Sequence, residues 1–393
     1  MNERLNTPIS DAELERRWRL VRAAMAERKI DALLMQANND FMGGYVKYFT
    51  DLPATNGYPV TVVFPKDERM TVIGQGPMGV VRELPPQGDG VRRGVARFIG
   101  CPSYASAPYT AGYEAALALP FLKPFGTIGY LGPGAVSFSL IENLRKECGK
   151  AKFVDASDTV DAIKAVKSAE EIELMRRTAA MQDKAWQAVL KAIQPGMRDL
   201  EVAAIAEHEG HRHGSEQGLF LCASGPVGTA AVFGNRHLQN RAIREGDYFS
   251  LLIENNGPGG FYTEIGRTCV LGKASQEMKE EYEFILKARK FTLERLKPGA
   301  KPKEVWDDYN AFLREHKKPE EKRLHSHSQG YDMVERPLVR NDEPMPVGAS
   351  MVFACHPTYA TERTYSWICD NFLVGESGVV ERLHKTEEKI FEL

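Results

Sequence analysis

The sequence lacks the marks of a secreted, membrane-spanning or nucleic-acid-binding protein. Its first residues, MNERLNTPIS, are too polar for a signal peptide, and no apolar run is long enough to span a bilayer. Because 51 Lys and Arg residues are balanced by 53 Asp and Glu residues, the net charge of -2 provides no basic field for nucleic acid. We therefore expect a cytoplasmic protein that binds neither nucleic acid nor a membrane.

The sequence also has no cysteine pairs, and it lacks the short motifs of a zinc-binding helix or a phosphate loop. Its 6 cysteines are scattered and form no CxxC, which is typical of reduced thiols. The run EHEGHRH (207–213) does not have HExxH spacing, and no GK[ST] follows GPGG (257–260). We interpret the first segment as a solvated helix end and the second as a turn.

The chain is long enough for two domains. It has 393 residues, of which 43% are hydrophobic, and its character changes near residue 160. Before that point, short apolar segments such as IDALLM (30–35) and YPVTVVFP (58–65) alternate with helical patterns, which predicts a small α/β domain over residues 1–160. A long helical segment (170–193) then indicates a second domain over residues 161–393.

The second domain contains an internal repeat. AVLKAIQPGMRDLEV (188–202) and FTLERLKPGAKPKEV (291–305) share one plan, in which a helix is followed by a Pro-Gly break and by Glu-Val at the start of a second helix. Predicted strands follow each unit. The repeat therefore indicates two αβ halves related by a pseudo-twofold axis.

Several segments of the second domain resemble motifs of one superfamily, that of creatinase, aminopeptidase P and methionine aminopeptidase. These segments are VKSAEEIELMRRTAAM (166–181), CASGP (222–226), GGFYTEIGRT (259–268), HSQG (327–330), GASMVFACHP (348–357) and WICDNFLV (367–374). The resemblance implies a mixed α/β (α+β) protein, with a creatinase-like N-terminal domain followed by a pita-bread catalytic domain. It also implies a homodimer in which one N-terminal domain closes the pocket of the neighbouring subunit.

The peptidases of this superfamily hold two metal ions with five side chains, in the order Asp, Asp, His, Glu, Glu. The resemblance carries these five positions onto Ile253 or Glu254, then Glu264, His327, His356 and Cys369. The first position stays open between two residues, because a one-residue slip in a strand turns the side chain to the other face.

These replacements point away from a site with two bridged metals. A neutral imidazole at His356 cannot bridge two cations, and Cys369 supplies no carboxylate. One divalent metal (Zn, Fe or Mn) could bind Glu264, His327 and His356, with Cys369 or Glu254 as a further ligand. Alternatively the same groups act on the substrate without a metal. We favour the metal-free alternative, because the ligand set fits no standard template.

Further site residues are implied by their place in the superfamily pattern. His237 follows the CASGP strand and is a candidate general acid or base, with Asn235 and Arg236 as alternatives for its position. The candidates for substrate binding combine aromatic side chains near the motifs, the two residues at the last ligand position, and two aromatic residues of the N-terminal domain that the partner subunit would contribute. They are Phe233, Tyr262, Trp367, Cys369, Asp370, Phe41 and Tyr45.

The functional expectation follows from the altered ligand set. We expect a lyase that cleaves a neutral or anionic small molecule, aromatic ones included, by elimination or retro-aldol chemistry, with His327, His356, His237 and Glu264 as acids and bases. An ordinary Xaa-Pro peptidase is disfavoured, because the bridging carboxylates are missing. Three alternatives stay open: a C–N hydrolase of the creatinase or ectoine hydrolase type, an Xaa-Pro metallopeptidase, and a non-catalytic binding module.

Overall fold

The computed structural model describes residues 5–39, 41, 44–54 and 56–393. The chain divides into two compact units, Met1–Lys164 and Ala165–Leu393. Both units contain helices and strands, so the mixed α/β class predicted from the sequence is confirmed. Within the described residues, no helix combines the length and the apolar character that crossing a membrane requires.

The N-terminal unit is a seven-stranded sheet with helices. Its helices are α1 (Asp11–Glu27), α2 (Gly44–Thr50), α3 (Ala111–Leu122), α4 (Phe138–Glu147) and α5 (Ser157–Ala165). Its strands are β1 (Ala32–Ala37), β2 (Val60–Pro65), β3 (Met70–Gly74), β4 (Val81–Glu83), β5 (Val95–Gly100), β6 (Thr127–Leu131) and β7 (Lys152–Asp155). The strand order is β4-β5-β3-β2-β1-β6-β7, in which β1 pairs antiparallel with β2 and parallel with β6.

Local signals in the sequence explain where the first helix begins and which face it buries. The Ser10 side chain accepts a hydrogen bond of 3.1 Å from the backbone N–H of Glu13, which caps α1. Leu14, Val21 and Met25 recur at helical spacing, and all three are buried. The local sequence therefore explains both the start and the packing face of α1.

The C-terminal unit consists of two αβ halves. The first half contains α6 (Ala169–Ala192), α7 (Asp199–Arg212), β8 (Gly218–Pro226), β9 (Asp247–Asn256) and β10 (Tyr262–Val270). The second contains α8 (Gln276–Leu293), α9 (Pro302–Glu315), β11 (Ser326–Ser328), β12 (Glu335–Leu338), β13 (Val352–Cys355), β14 (Thr358–Ala360), β15 (Tyr365–Trp367), β16 (Asp370–Gly375), β17 (Gly378–Arg382) and β18 (Phe391–Glu392). Each half opens with a helix pair and continues into strands, as the internal repeat predicted.

The strands of the C-terminal unit form three sheets. One sheet has the order β18-β10-β9-β8, a second has the order β12-β11-β13-β16-β17, and β14 pairs with β15 in a separate hairpin. The first two sheets meet where the backbone N–H of Gly266 donates a hydrogen bond of 3.0 Å to the carbonyl of Cys369. This contact brings the middle of β10 next to the start of β16.

The hairpin of β9 and β10 settles which residue of β9 faces the same way as Glu264. Glu254 pairs directly with Glu264, and Ile253 pairs with Ile265. The two isoleucines are buried in the apolar cluster formed with α6 and α7, so the two glutamates lie on the opposite face. Of the two residues left open by the sequence, Glu254 is therefore the one that shares a face with Glu264.

A buried ion cluster joins three elements of the C-terminal unit behind this hairpin. Asp370 accepts hydrogen bonds from Arg267 in β10 at 2.7 Å and from Arg289 in α8 at 2.5 Å. Burial alone would raise the pKa of Asp370, but the two guanidinium groups outweigh burial and lower it. The aspartate is therefore ionised, and it holds two buried positive charges in place.

Replacing Asp370 by Ala should destabilise the protein strongly. The change leaves Arg267 buried without its counter-charge and Arg289 with Glu388 alone, and breaking a buried pair costs about 3–5 kcal/mol of the free energy of unfolding. Urea unfolding followed by circular dichroism measures the effect. Asp308→Ala is the matched control, because Asp308 pairs with Arg295 at the surface with 60% of its side chain exposed, and should change stability little. Equal stabilities of the two variants would contradict the role of the cluster.

Candidate functional site

The C-terminal unit contains a cavity of about 530 Å³ whose wall is charged in one part and apolar in another. The charged and imidazole part consists of Glu254, Glu264, His327 and His356. The apolar part consists of Leu219, Leu221, Val232, Phe233, Leu252, Leu324, Val334, Ala360, Tyr365 and Trp367. Glu321, Arg323 and Thr358 complete the wall. A volume of this size suits a ligand as large as a dipeptide.

Three side chains converge at the charged part of the cavity. Oε1 of Glu264 lies 3.6 Å from Nε2 of His327 and 3.7 Å from Nε2 of His356. One ligand atom from each of the three residues lies within 4.8 Å of the others, which would allow all three to bind a single metal ion. Two imidazoles and one carboxylate form an established ligand set for a divalent metal.

The orientation of His327 suits a metal ligand. Its Nδ1 lies 3.0 Å from the carbonyl oxygen of Ser328. A carbonyl only accepts hydrogen bonds, so Nδ1 carries the ring proton and Nε2 keeps its lone pair on the side of Glu264. Metal-binding histidines commonly have this arrangement, in which a backbone carbonyl fixes the tautomer and the ring.

His356 is held neutral at physiological pH. Burial lowers its pKa to about 4, and the negative charge of Glu264 opposes that change only in part. Its backbone N–H donates a hydrogen bond of 2.8 Å to the carbonyl of His325, which fixes the chain at the end of β13. A neutral ring can offer a lone pair to a cation, so His356 complements His327.

The pKa values of the two glutamates in the hairpin are shifted in opposite directions. Burial raises the pKa of Glu254 well above its usual value, and the neighbouring charge of Glu264 raises it further. Burial acts on Glu264 in the same direction, but contacts with His356, His327 and the Cys369 thiol outweigh it and lower its pKa. Glu264 therefore carries the negative charge, and Glu254 holds a proton.

Cys369 acts on the site through Glu264. Its Sγ donates a hydrogen bond of 3.1 Å to Oε1 of Glu264, and the residue is fully buried without lining the cavity. The backbone N–H of Glu264 donates to Oδ1 of Asn371 at 2.7 Å, and Nδ2 of Asn371 donates to Oε1 of Gln329 at 2.7 Å. Sequence reasoning missed both amides, although each lies only two residues beyond a candidate ligand, His327 or Cys369.

Aromatic side chains form a wall beside the charged centre. The Phe233 ring meets Trp367 edge to face, with ring centroids 4.6 Å apart, and lies 5.2 Å from Tyr365. Trp367 lies directly against the backbone at Gly266, where an added Cβ would be 2.0 Å from the indole ring. The structure therefore places Phe233 and Trp367 at the cavity, and their role in substrate binding stays a prediction.

Besides Cys369, three predicted site residues of the C-terminal unit do not line the cavity. Asp370 follows Cys369 directly, so its side chain points to the other side of the strand and binds arginines. Tyr262 is buried, and its hydroxyl accepts a hydrogen bond of 3.0 Å from Gln217. His237 lies exposed in a short helical turn, Arg236–Leu238, because the segment before it turns Phe233 towards the cavity instead.

The two aromatic residues predicted from the N-terminal domain lie in the N-terminal unit. The Tyr45 hydroxyl donates a hydrogen bond of 2.5 Å to Asp161, and Nζ of Lys164 lies 4.4 Å from the centre of its ring. The backbone N–H of Phe41 donates to Oδ1 of Asn39 at 2.7 Å. Their contribution to a neighbouring subunit stays a prediction.

Proteins of known sequence resemble this chain over most of its length. The Xaa-Pro dipeptidase of Pyrococcus furiosus is 28% identical over 281 residues, covering 68% of this chain and 76% of the relative. The Xaa-Pro dipeptidase of Pyrococcus horikoshii is 28% identical over 285 residues, covering 69% of this chain and 77% of the relative. The crystal structure of the X-Pro aminopeptidase of Thermotoga maritima matches with a TM-score of 0.78 at 20% identity, covering 97% of this chain and 99% of that chain. The structural match confirms the predicted fold.

These relatives overturn the functional expectation drawn from the sequence. We expected a lyase and disfavoured an Xaa-Pro peptidase, whereas the matching proteins are named as dipeptidases and an aminopeptidase that act next to proline. The expectation assumed that peptide hydrolysis needs two cations bridged by carboxylates. That assumption was wrong, because two imidazoles and one carboxylate around a single zinc ion form the catalytic set of established hydrolases such as thermolysin.

Family comparisons identify both parts of the chain. The Creatinase/Prolidase N-terminal domain matches residues 17–166. Metallopeptidase family M24 matches residues 173–379, which is more than half of the 393 residues of the chain. The superfamily resemblance seen in the sequence motifs is thereby confirmed, and the chain belongs to metallopeptidase family M24.

Proposed function

We propose that this chain is a metal-dependent hydrolase that cleaves the amide bond of Xaa-Pro dipeptides. The convergence of Glu264, His327 and His356 in one buried cavity carries the proposal, because this donor set fits a divalent cation. The names of the matching relatives supply the substrate class. The expectation of a metal-free site is accordingly replaced by the alternative with a cation at these three residues.

A divalent cation at this position supplies Lewis acidity, which lowers the pKa of water and polarises a carbonyl oxygen. The chain itself provides the proton transfers and the dry surroundings. Glu254 holds a proton next to Glu264, so it can protonate the prolyl nitrogen as the C–N bond breaks. Glu264 remains ionised; the Cys369 thiol holds its carboxylate, and Asn371 holds its backbone N–H.

The aromatic wall gives the substrate ring a place to pack. Phe233 and Trp367 present ring surfaces beside the charged centre, and the remaining wall is largely aliphatic. A pyrrolidine ring is apolar and rigid, so burying it here is favourable and costs little conformational entropy. The wall therefore favours proline over a flexible polar residue on the leaving side of the amide.

Arg323 offers a counter-charge for the free carboxylate of a dipeptide. It provides the cavity wall with a guanidinium for which the described residues show no hydrogen bond or ion pair. Burial raises the pKa of Tyr365, and the positive charge of Arg323 opposes that rise, which indicates that the guanidinium lies near the wall. A guanidinium binds a carboxylate with two parallel hydrogen bonds and thereby selects substrates that end after proline.

We also propose a homodimer, in which Phe41 and Tyr45 of one subunit contribute to the neighbouring cavity, and a cytoplasmic location. The first proposal comes from the resemblance to the superfamily, and the second from the scattered cysteines, which are typical of reduced thiols. Neither is tested by the structure of a single chain.

The chain should hydrolyse Ala-Pro in the presence of Co²⁺, Mn²⁺ or Zn²⁺ and should lose this activity when the cation is chelated. Glu264→Gln and His327→Ala should each lower kcat/KM by roughly 100-fold or more, because each removes a ligand. His237→Ala is the matched control, since His237 is exposed and lies outside the cavity. Release of proline measures the rate. Activity that survives chelation, or no cleavage with any of the cations, would contradict the proposal.

Arg323→Ala should raise KM for Ala-Pro by about 10- to 100-fold and change kcat much less. A hydrogen-bonded charge of this kind contributes about 1.5–3 kcal/mol to binding. The same variant should cleave Ala-prolinamide as well as the unmodified chain does, because that substrate has no carboxylate. Lys322→Ala is the control, since Lys322 is exposed and does not line the cavity. An equal loss with the acid and the amide would show that Arg323 does not bind the carboxylate.

A further inference from the structure

We infer that the cavity of this chain takes one divalent cation, held by Glu264, His327 and His356, and that Cys369, Gln329 and Asn371 fill the place of the oxygen ligands that a second cation would need. The inference deepens the proposed function and rests on it only in treating the cavity as a cation site. It departs from the pair of cations that the superfamily resemblance implied.

The first reason is the number of lone pairs at the centre. A neutral imidazole offers one lone pair on its free nitrogen, so His327 and His356 can each bind a single ion. A carboxylate has two oxygens, so Glu264 is the one member of the trio that could bridge two ions. A two-metal site needs bridging ligands and further oxygens on both sides, with the ions about 3.5–4 Å apart. Among the described residues, Glu264, His327 and His356 form the one group of three or more possible ligands whose ligand atoms lie close enough together to bind a metal ion.

The second reason is that the Cys369 thiol donates a hydrogen bond to Glu264, whose carboxylate would have to bridge the two cations. Its Sγ is a donor 3.1 Å from Oε1 of Glu264, and the same sulfur lies 3.6 Å from the Glu264 carbonyl oxygen. A thiol that donates to both oxygens presents its proton to this side of Glu264. The lone pair of Oε1 that receives this hydrogen is therefore not available to a second cation.

The third reason is a chain of amides whose orientation is fixed at both ends. The backbone N–H of Glu264 can only donate, so the Asn371 group that receives it is Oδ1, and Nδ2 of Asn371 must face Oε1 of Gln329. Nε2 of Gln329 then donates to the Met333 carbonyl at 2.8 Å and to Oε1 of Glu254 at 3.1 Å. Glu254 therefore meets an N–H group, which has no lone pair for a cation.

The fourth reason is charge. Glu254 and Glu264 can contribute at most two negative charges, even when Glu254 gives up its proton, and two charges balance one divalent cation. A second cation would leave two positive charges uncompensated among side chains that are nearly all buried. Uncompensated buried charge is strongly unfavourable.

Metal titration of the full-length chain tests the inference without a substrate. After chelation and desalting, Co²⁺ is added while the visible absorption of the cobalt ion is recorded, and the bound metal is then measured by mass spectrometry. The absorption should saturate at one Co²⁺ per chain, and Mn²⁺ should give the paramagnetic resonance spectrum of an isolated ion. Saturation at two ions per chain, or the spectrum of a coupled Mn²⁺ pair, would overturn the inference.

Two cysteine variants separate a thiol that positions Glu264 from a thiolate that binds metal. The unmodified protein should show no sulfur-to-cobalt charge-transfer band, and Cys369→Ser should still bind one Co²⁺, because a hydroxyl can donate the same hydrogen bond. Cys222→Ser is the matched control, since Cys222 is buried in the apolar cluster of the first sheet. A charge-transfer band that disappears only in Cys369→Ser would assign the sulfur as a ligand and overturn its role as a donor.

These outcomes are independent of the hydrolysis assay. A chain that binds one cation and cleaves no proline dipeptide would refute the proposed function and leave the single-cation site intact. A chain that cleaves the dipeptide and binds two cations would support the proposed function and refute the single-cation site. His327→Ala, which removes a ligand in both accounts, should lower the affinity for Co²⁺ at least about 10-fold.

Discussion

The site depends on one buried negative charge, the carboxylate of Glu264. Such a charge is unfavourable in an apolar interior unless hydrogen bonds and opposite partial charges surround it. Here two imidazoles and a thiol approach its Oε1, and Asn371 receives its backbone N–H. His327 and Asn371 are each oriented by a further hydrogen bond, to the Ser328 carbonyl and to Gln329, so the groups around this one oxygen are held in place.

The strands around Glu264 contribute side chains to the cavity on one face and to the buried ion cluster on the other. In β10, Glu264 faces the cavity, whereas Arg267, three residues later, faces the buried ion cluster. At the start of β16, Cys369 reaches Glu264, and the next residue, Asp370, binds Arg267. Because successive side chains point to opposite faces, the same two strands carry both the site and the ion cluster that holds them together. Loss of the cluster would therefore also disturb the site.

The sequence predicted the fold and much of the site, through motifs that are local. Glu264, His327 and His356 each lie in a short segment that resembles the superfamily, and the structure brings them together. The choice between Ile253 and Glu254 could not be made, because it depends on which residue of β10 pairs with β9. Gln329 and Asn371 were missed because an amide becomes informative only when its partners are known. His237 was placed by its distance along a loop, which does not fix a direction in space.

The functional expectation failed for a different reason. It counted the carboxylates that the chain has lost and did not ask what the remaining donors could do together. Two neutral imidazoles and an ionised glutamate are sufficient for one cation, and a single cation is sufficient for amide hydrolysis in other folds. The matching dipeptidases point to the same chemistry from sequence similarity alone.

Crystals of the full-length protein grown with Co²⁺ and measured on both sides of the cobalt absorption edge provide the most direct test of this account. It predicts one anomalous peak in each C-terminal unit, between the carboxylate of Glu264 and the two imidazoles. Two neighbouring peaks, or no peak among these three side chains, would contradict it.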